Sequence, residues 1–70
     1  MNVPSVGEVW EEWDTTGWLV ISEPRTDPED GTEFVLMTLL YYCNGSRGQY
    51  LGIVEGIPIY YLKSGWVKVS

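Results

Sequence analysis

Histidine is absent and Cys43 is the only cysteine, so the chain lacks the side chains that most often serve as base, nucleophile or metal ligand near neutral pH. A zinc site of the Cys/His type and an intrachain disulfide are both excluded. Attack by Ser22, Ser46 or Ser64 would need a carboxylate, a lysine or the terminal amine as base, and each serine has a turn or strand-end context that accounts for it. Cys43 ends an apolar run beside Asn44-Gly45 and reads as a small buried hydrophobe, not a reactive thiol.

Carboxylates are the remaining chemistry. Glu11 and Glu12 are neighbours and fall on opposite faces of a regular strand, which makes them a poor general acid and base pair. Glu29, Asp30 and Glu33 could converge on a divalent cation at a hairpin tip, but a solvated turn is the better account of them, because a usable site needs several converging oxygens held rigidly. The stretch DPEDG does not fit a calcium loop, because with Gly31 at the glycine position the first and third ligands would be Thr26 and Pro28. No phosphate-cradling glycine loop precedes a helix. The expectation is a protein that is not an enzyme and carries no cofactor or metal.

Aromatic residues are the more informative excess. Trp10, Trp13, Trp18, Trp66, Tyr41, Tyr42, Tyr50, Tyr60, Tyr61 and Phe34 are ten large rings in seventy residues, more than a core of this size can hold. Some must lie at a surface or an interface. In the adjacent pairs Tyr41-Tyr42 and Tyr60-Tyr61, alternation along a strand sends one member of each away from the core.

The elements that must position these residues read as strands. Residues 32–43, TEFVLMTLLYYC, form the longest apolar run, rich in residues that favour an extended backbone. At period 2 one face carries Phe34, Leu36, Thr38, Leu40 and Tyr42, and the other Val35, Met37, Leu39, Tyr41 and Cys43. Both faces are apolar, so Val35, Met37, Leu39 and Tyr41 are candidates for an interface between copies of the chain. Before this strand come residues 8–13 (EVWEEW), a turn at Asp14-Thr15-Thr16-Gly17, a strand over 18–23 (WLVISE) ended by Pro24, and an acidic tip over 25–31. There Pro28-Glu29-Asp30-Gly31 suits a type I turn closed by a glycine bulge. After it, Asn44-Gly45 signals a type I′ hairpin and residues 49–54 a fourth strand broken by Glu55-Gly56. Residues 57–62 (IPIYYL) read as a further extended stretch, Lys63-Ser64-Gly65 as a tight turn or 3₁₀ turn, and residues 66–69 (WVKV) as a closing strand.

No segment of helical length has a 3.6-residue period and nothing repeats internally. The fold class expected is all-β, a small, strongly twisted antiparallel barrel of five or six short strands, with the last strand paired to the first so that edges are covered. Residues 1–5, with Pro4, form a loose arm, and residues 6–70 a single domain. The ten-residue apolar run over 34–43 is far short of the roughly 20 residues a membrane helix needs, and no signal-like segment opens the chain. A cytoplasmic protein with no membrane partner is expected.

The net charge of −6 is unevenly placed: residues 1–33 carry −8 and residues 34–70 carry +2. Binding to nucleic acid is disfavoured by this field, and a protein partner with a basic surface is favoured.

The opening Val6-Gly7-Glu8-Val9-Trp10, a short turn, then Trp18-Leu19-Val20-Ile21 and a final Trp66-Val67-Lys68-Val69 resemble small SH3-like barrels, including short proteins of tailed bacteriophages. The loop after the first strand is shorter than the acidic loop of peptide-binding SH3 domains, and the acidic hairpin tip falls one connection later. What the resemblance implies is a barrel and a phage protein acting on a host component as inhibitor or modulator. The function expected is an acidic, aromatic protein-interaction module using Trp10, Glu11, Glu12, Trp13, Asp27, Glu29 and Asp30. The competing reading is a homo-oligomer that binds a nucleotide-like small molecule between its rings, with Arg47, Lys63 and Lys68 for any phosphate.

Overall fold

A computed structural model describes residues 4–13, 16–42 and 51–70. The chain is nearly all-β: β1 (Val9–Glu11), β2 (Gly17–Val20), β3 (Arg25–Thr26), β4 (Glu33–Tyr41), β5 (Val54–Pro58), one helical turn α1 (Ile59–Leu62), and β6 (Val67–Lys68). All pairings are antiparallel, and the sheet curls into a half-barrel around β4. One edge of β4 pairs with β2 and β3 in succession, and the other with β5. From β2 the sheet continues to β1 and then β6, so the last strand does lie beside the first. Val9 and Ser70 extend that ladder, with Val9 N–H donating to the Ser70 carbonyl over 3.0 Å and Val69 N–H to the Val9 carbonyl over 2.9 Å.

The nine residues of β4 alternate as the apolar pattern requires, and the curl decides which face is the inside. Val35, Met37 and Leu39 are fully or almost fully buried, together with Trp10, Trp18, Val20, Ile57, Ile59 and Leu62. This corrects the expected interface between copies. Val35, Met37 and Leu39, three of the four side chains proposed for it, are enclosed by their own chain, where each stabilises the fold by about 1.5–3 kcal/mol. Tyr41 leaves that face for a different reason. Gly17 pairs with Tyr41 while Trp18 pairs with Leu39, so β4 has one extra residue at Leu40, and the bulge turns Tyr41 outward. Tyr42 then packs against the core in its place.

Two glycines mark places where an aromatic ring crosses the outer face. A Cβ on Gly17 would fall inside the ring of Tyr41, and one on Gly56 would lie 3.2 Å from Phe34 Cδ2. Gly56 therefore belongs inside β5, opposite Leu36, and not at a strand end. Glu55 likewise pairs with Met37 within the ladder, so the fourth strand is displaced towards the C-terminus from the expected residues 49–54. Residues 49 and 50, the Asn44-Gly45 turn and Cys43 lie outside the described residues.

The strand expected over 18–23 stops at Val20. The Ile21 N–H still donates to the Leu36 carbonyl over 2.9 Å, and the Leu36 N–H donates to the Ser22 hydroxyl oxygen over 2.9 Å. A side chain thus replaces a backbone acceptor beside Pro24, and pairing resumes at Arg25 and Thr26, which the sequence placed in the turn. Gly31 takes the positive φ expected of it, +75°, but its N–H donates to the Asp27 carbonyl over 2.8 Å, one residue further back than the closing bond of the expected type I turn over 28–31.

Residues 57–62 are only partly extended. Pro58 ends β5, and the next four residues turn once as α1, burying Ile59 and Leu62 and exposing both Tyr60 and Tyr61. An i, i+3 aliphatic pair fills the open end of the half-barrel; a strand there would have buried one tyrosine. At the N-terminus Pro4 is buried and the Ser5 N–H donates to Glu8 Oε1 over 3.1 Å, so these two residues are held, while residues 1–3 of the expected arm lie outside the described residues.

Candidate functional site

Trp18 organises the site from within the core. It lies on β2 between Trp10 on β1 and Leu39 on β4, and only 6% of it is exposed. Its ring lies 6.5 Å from that of Trp66, tilted by 42°, and its Nε1–H donates to Glu12 Oε2 over 2.7 Å. One buried indole therefore holds a surface carboxylate and a half-buried ring that arrive from opposite ends of the chain. The Glu12 N–H also donates to the Thr16 carbonyl over 2.9 Å, which closes the turn after β1.

Beside this pair stands Trp13, with 84% of its surface exposed. An indole so fully in water is the most unusual surface feature of the fold, because Trp loses more by exposure than any other side chain. Tyr61 of α1 and Ser64 complete an open cleft of about 290 Å³ with Glu12, Trp13 and Trp66. Among the described residues no lysine or arginine lines it.

Across α1, Tyr60 meets Tyr61 edge to face, with centroids 5.1 Å apart and planes at 89°. Tyr60 faces the acidic hairpin tip. It lines a hollow of about 300 Å³ with Asp27, Asp30, Phe34 and Pro58, and an adjoining one of about 350 Å³ with Asp30, Glu33 and Lys63. The tip is pinned by its own carboxylates: Asp27 Oδ1 accepts from the Glu29 N–H and Asp30 Oδ1 from the Thr32 N–H, each over 2.8 Å. Donation from Thr32, by backbone and then by hydroxyl, holds the Asp30 carboxyl below the usual carboxylate range.

The helical turn thus separates two hollows that combine acids with aromatic rings, and among the residues named from sequence Glu12 and Trp13 stand on one side, Asp27 and Asp30 on the other. Glu29 is exposed at the tip and lines neither. Two of the named residues have other work. Trp10 is buried and its Nε1–H donates to Glu8 Oε1 over 3.0 Å, so it is a core residue and not a contact surface. Glu11 points to the outer face, where it accepts the Tyr41 hydroxyl, and this bond, ahead of desolvation, raises the Tyr41 pKa above the ordinary tyrosine value.

Tyr60, Tyr61 and Trp66 enter the sequence reading only within the aromatic excess and Ser64 only as a turn serine, none of them as a residue of the interaction surface. Their signal was the aromatic excess itself, and the spacing Ile59-Tyr60-Tyr61-Leu62 after Pro58, which fits one helical turn as well as a strand. Of the bases considered for a phosphate, Lys68 pairs with Glu8 at 3.9 Å, Lys63 sits beside Asp30 and Glu33, and Arg47 lies outside the described residues. Among the described residues no group of three or more acids or cysteines could hold a metal ion, and no helix is long and apolar enough to cross a membrane.

The chain matches no protein family, no curated protein and no solved structure.

Proposed function

We propose that this chain is a protein-interaction module that receives a basic segment of a partner protein on the face divided by α1. The exposure of Trp13 beside Glu12, Tyr61 and Trp66 carries the reading. Exposed tryptophan and tyrosine in a cleft are typical of binding hot spots, and the acids on both sides of α1 select the sign of the partner. The charge of −8 on residues 1–33 adds long-range attraction for a basic surface. A phosphate-bearing ligand is disfavoured in either hollow by Glu12 or by Asp27, Asp30 and Glu33. The likeness to short proteins of tailed bacteriophages would make the partner a host protein in the cytoplasm, and the chain its inhibitor or modulator.

Titration with a lysine-rich decapeptide, and with the same peptide carrying norleucine for every lysine, tests the reading through tryptophan fluorescence. The basic peptide is expected to bind and to weaken steadily between about 50 and 500 mM salt, with the neutral peptide bound far less well. Equal binding of both peptides, or no dependence on salt, would remove the electrostatic basis of the proposal.

A further inference from the structure

Resting on the interaction reading above, we infer that the cleft of Glu12, Trp13, Tyr61 and Trp66 is a seat for one lysine ammonium group of the partner. Three rings from three separate segments, the turn after β1, α1 and the residue before β6, converge on a single opening of about 290 Å³. Each ring face is electron-rich and attracts a cation, most strongly where the cation is partly desolvated. Glu12 supplies a carboxylate at the same opening, and among the described residues no lysine or arginine lines it.

The cleft is organised before any ligand arrives. Glu12 is held by the Trp18 indole at 2.7 Å and Trp66 by its contact with the same ring at 6.5 Å, so a charge and an aromatic wall are fixed from the core. Glu12 and Trp66 therefore have little side-chain freedom to lose on binding, whereas Trp13, 84% exposed, is ordered only when a ligand is seated. The same bond distinguishes lysine from arginine. A guanidinium gains most from two parallel bonds to both carboxylate oxygens, and here Oε2 is already engaged by an indole N–H. An ammonium needs one oxygen and ring faces, and the open cleft offers both.

The test uses the tripeptide Ac-Gly-Lys-Gly-NH2, its norleucine and arginine counterparts, and the indole proton signals of the full chain. The lysine tripeptide is expected to shift the Trp13 and Trp66 signals saturably, about fivefold or more tighter than the norleucine form and also tighter than the arginine form. Glu12→Gln, which keeps an acceptor for Trp18, and Trp13→Ala, at an exposed position, should each weaken the lysine tripeptide by about threefold to tenfold. Equal shifts with norleucine, tighter binding of arginine, or lysine shifts that persist in Trp13→Ala would overturn the inference. If the lysine-rich decapeptide still binds in a salt-dependent way when the tripeptide does not, the lysine seat is wrong and the interaction reading stands. If the tripeptide is seated and the decapeptide gains nothing over it, the seat stands and the extended basic partner does not.

Discussion

The Trp18 indole donates to the Glu12 carboxylate over 2.7 Å, which ties a side chain of the core to one at the surface. Replacing Trp18 by Phe keeps a buried ring and removes the donor. The expected cost is about 1–3 kcal/mol, part from the lost bond and part from the smaller ring, read as a lower urea midpoint. Glu12→Gln should cost much less, because the amide oxygen still accepts. Similar losses in the two variants would show that the bond does not hold the carboxylate.

Tyr41 crosses Gly17 to reach Glu11, so the bond and the bare glycine depend on one another. The neutral phenol is the form favoured in the folded chain, and its pKa is raised, first by the Glu11 bond. Stability from this bond is complete below the ordinary tyrosine pKa and is lost as pH rises through the higher folded value. In Gly17→Ala the ring must swing away, at a cost of about 1 kcal/mol, and the Tyr41 pKa should fall back towards ordinary. A ring-carbon titration by NMR reads the shift directly, and an unchanged Tyr41 pKa in that variant would contradict the arrangement.

Glu8 closes the seam between β1 and β6. The Ser5 N–H donates to it, the Trp10 indole does so as well, and Lys68 lies at 3.9 Å, which together lower its pKa against the opposing effect of partial burial. A depressed carboxylate contributes stability above its unfolded pKa and loses it as pH falls through the lower folded value. Glu8→Gln should therefore flatten the acid side of the stability profile while changing little near neutral pH beyond the lost charge. Urea midpoints followed from neutral to acid pH measure this, and parallel profiles for variant and parent would count against it.

Met37 is wholly enclosed at the centre of β4. Met37→Ala should cost about 2–5 kcal/mol, a large part of the stability of a chain this short. Because the side chain faces inward, that loss should be the same at high and low protein concentration. A loss that grows on dilution would return Met37 to an interface between copies.

Much of the architecture was legible from residue types alone. The extended character of residues 32–43, the alternation that groups Val35, Met37 and Leu39, the Gly31 turn and the pairing of the last strand with the first all follow from local preferences and from the need to bury a small apolar set. Both faces of β4 are apolar in sequence, so the pattern could not say which would be inside; the curl of the sheet and the cover from Ile57, Ile59 and Leu62 decided it. The bulge at Leu40 reversed Tyr41, and a bulge depends on the partner strand, which has no local signature. Pro58 permits either an edge strand or a helical start, and only the open end of the half-barrel selected the turn that sets Tyr60 and Tyr61 on its two sides. Charge and aromatic excess determined the kind of surface this protein presents. Glu12 reaches Trp18 across a single turn, but bringing Trp66 to the same ring required a contact between residues far apart in the chain, and such a contact is decided by packing, which no short stretch of sequence records.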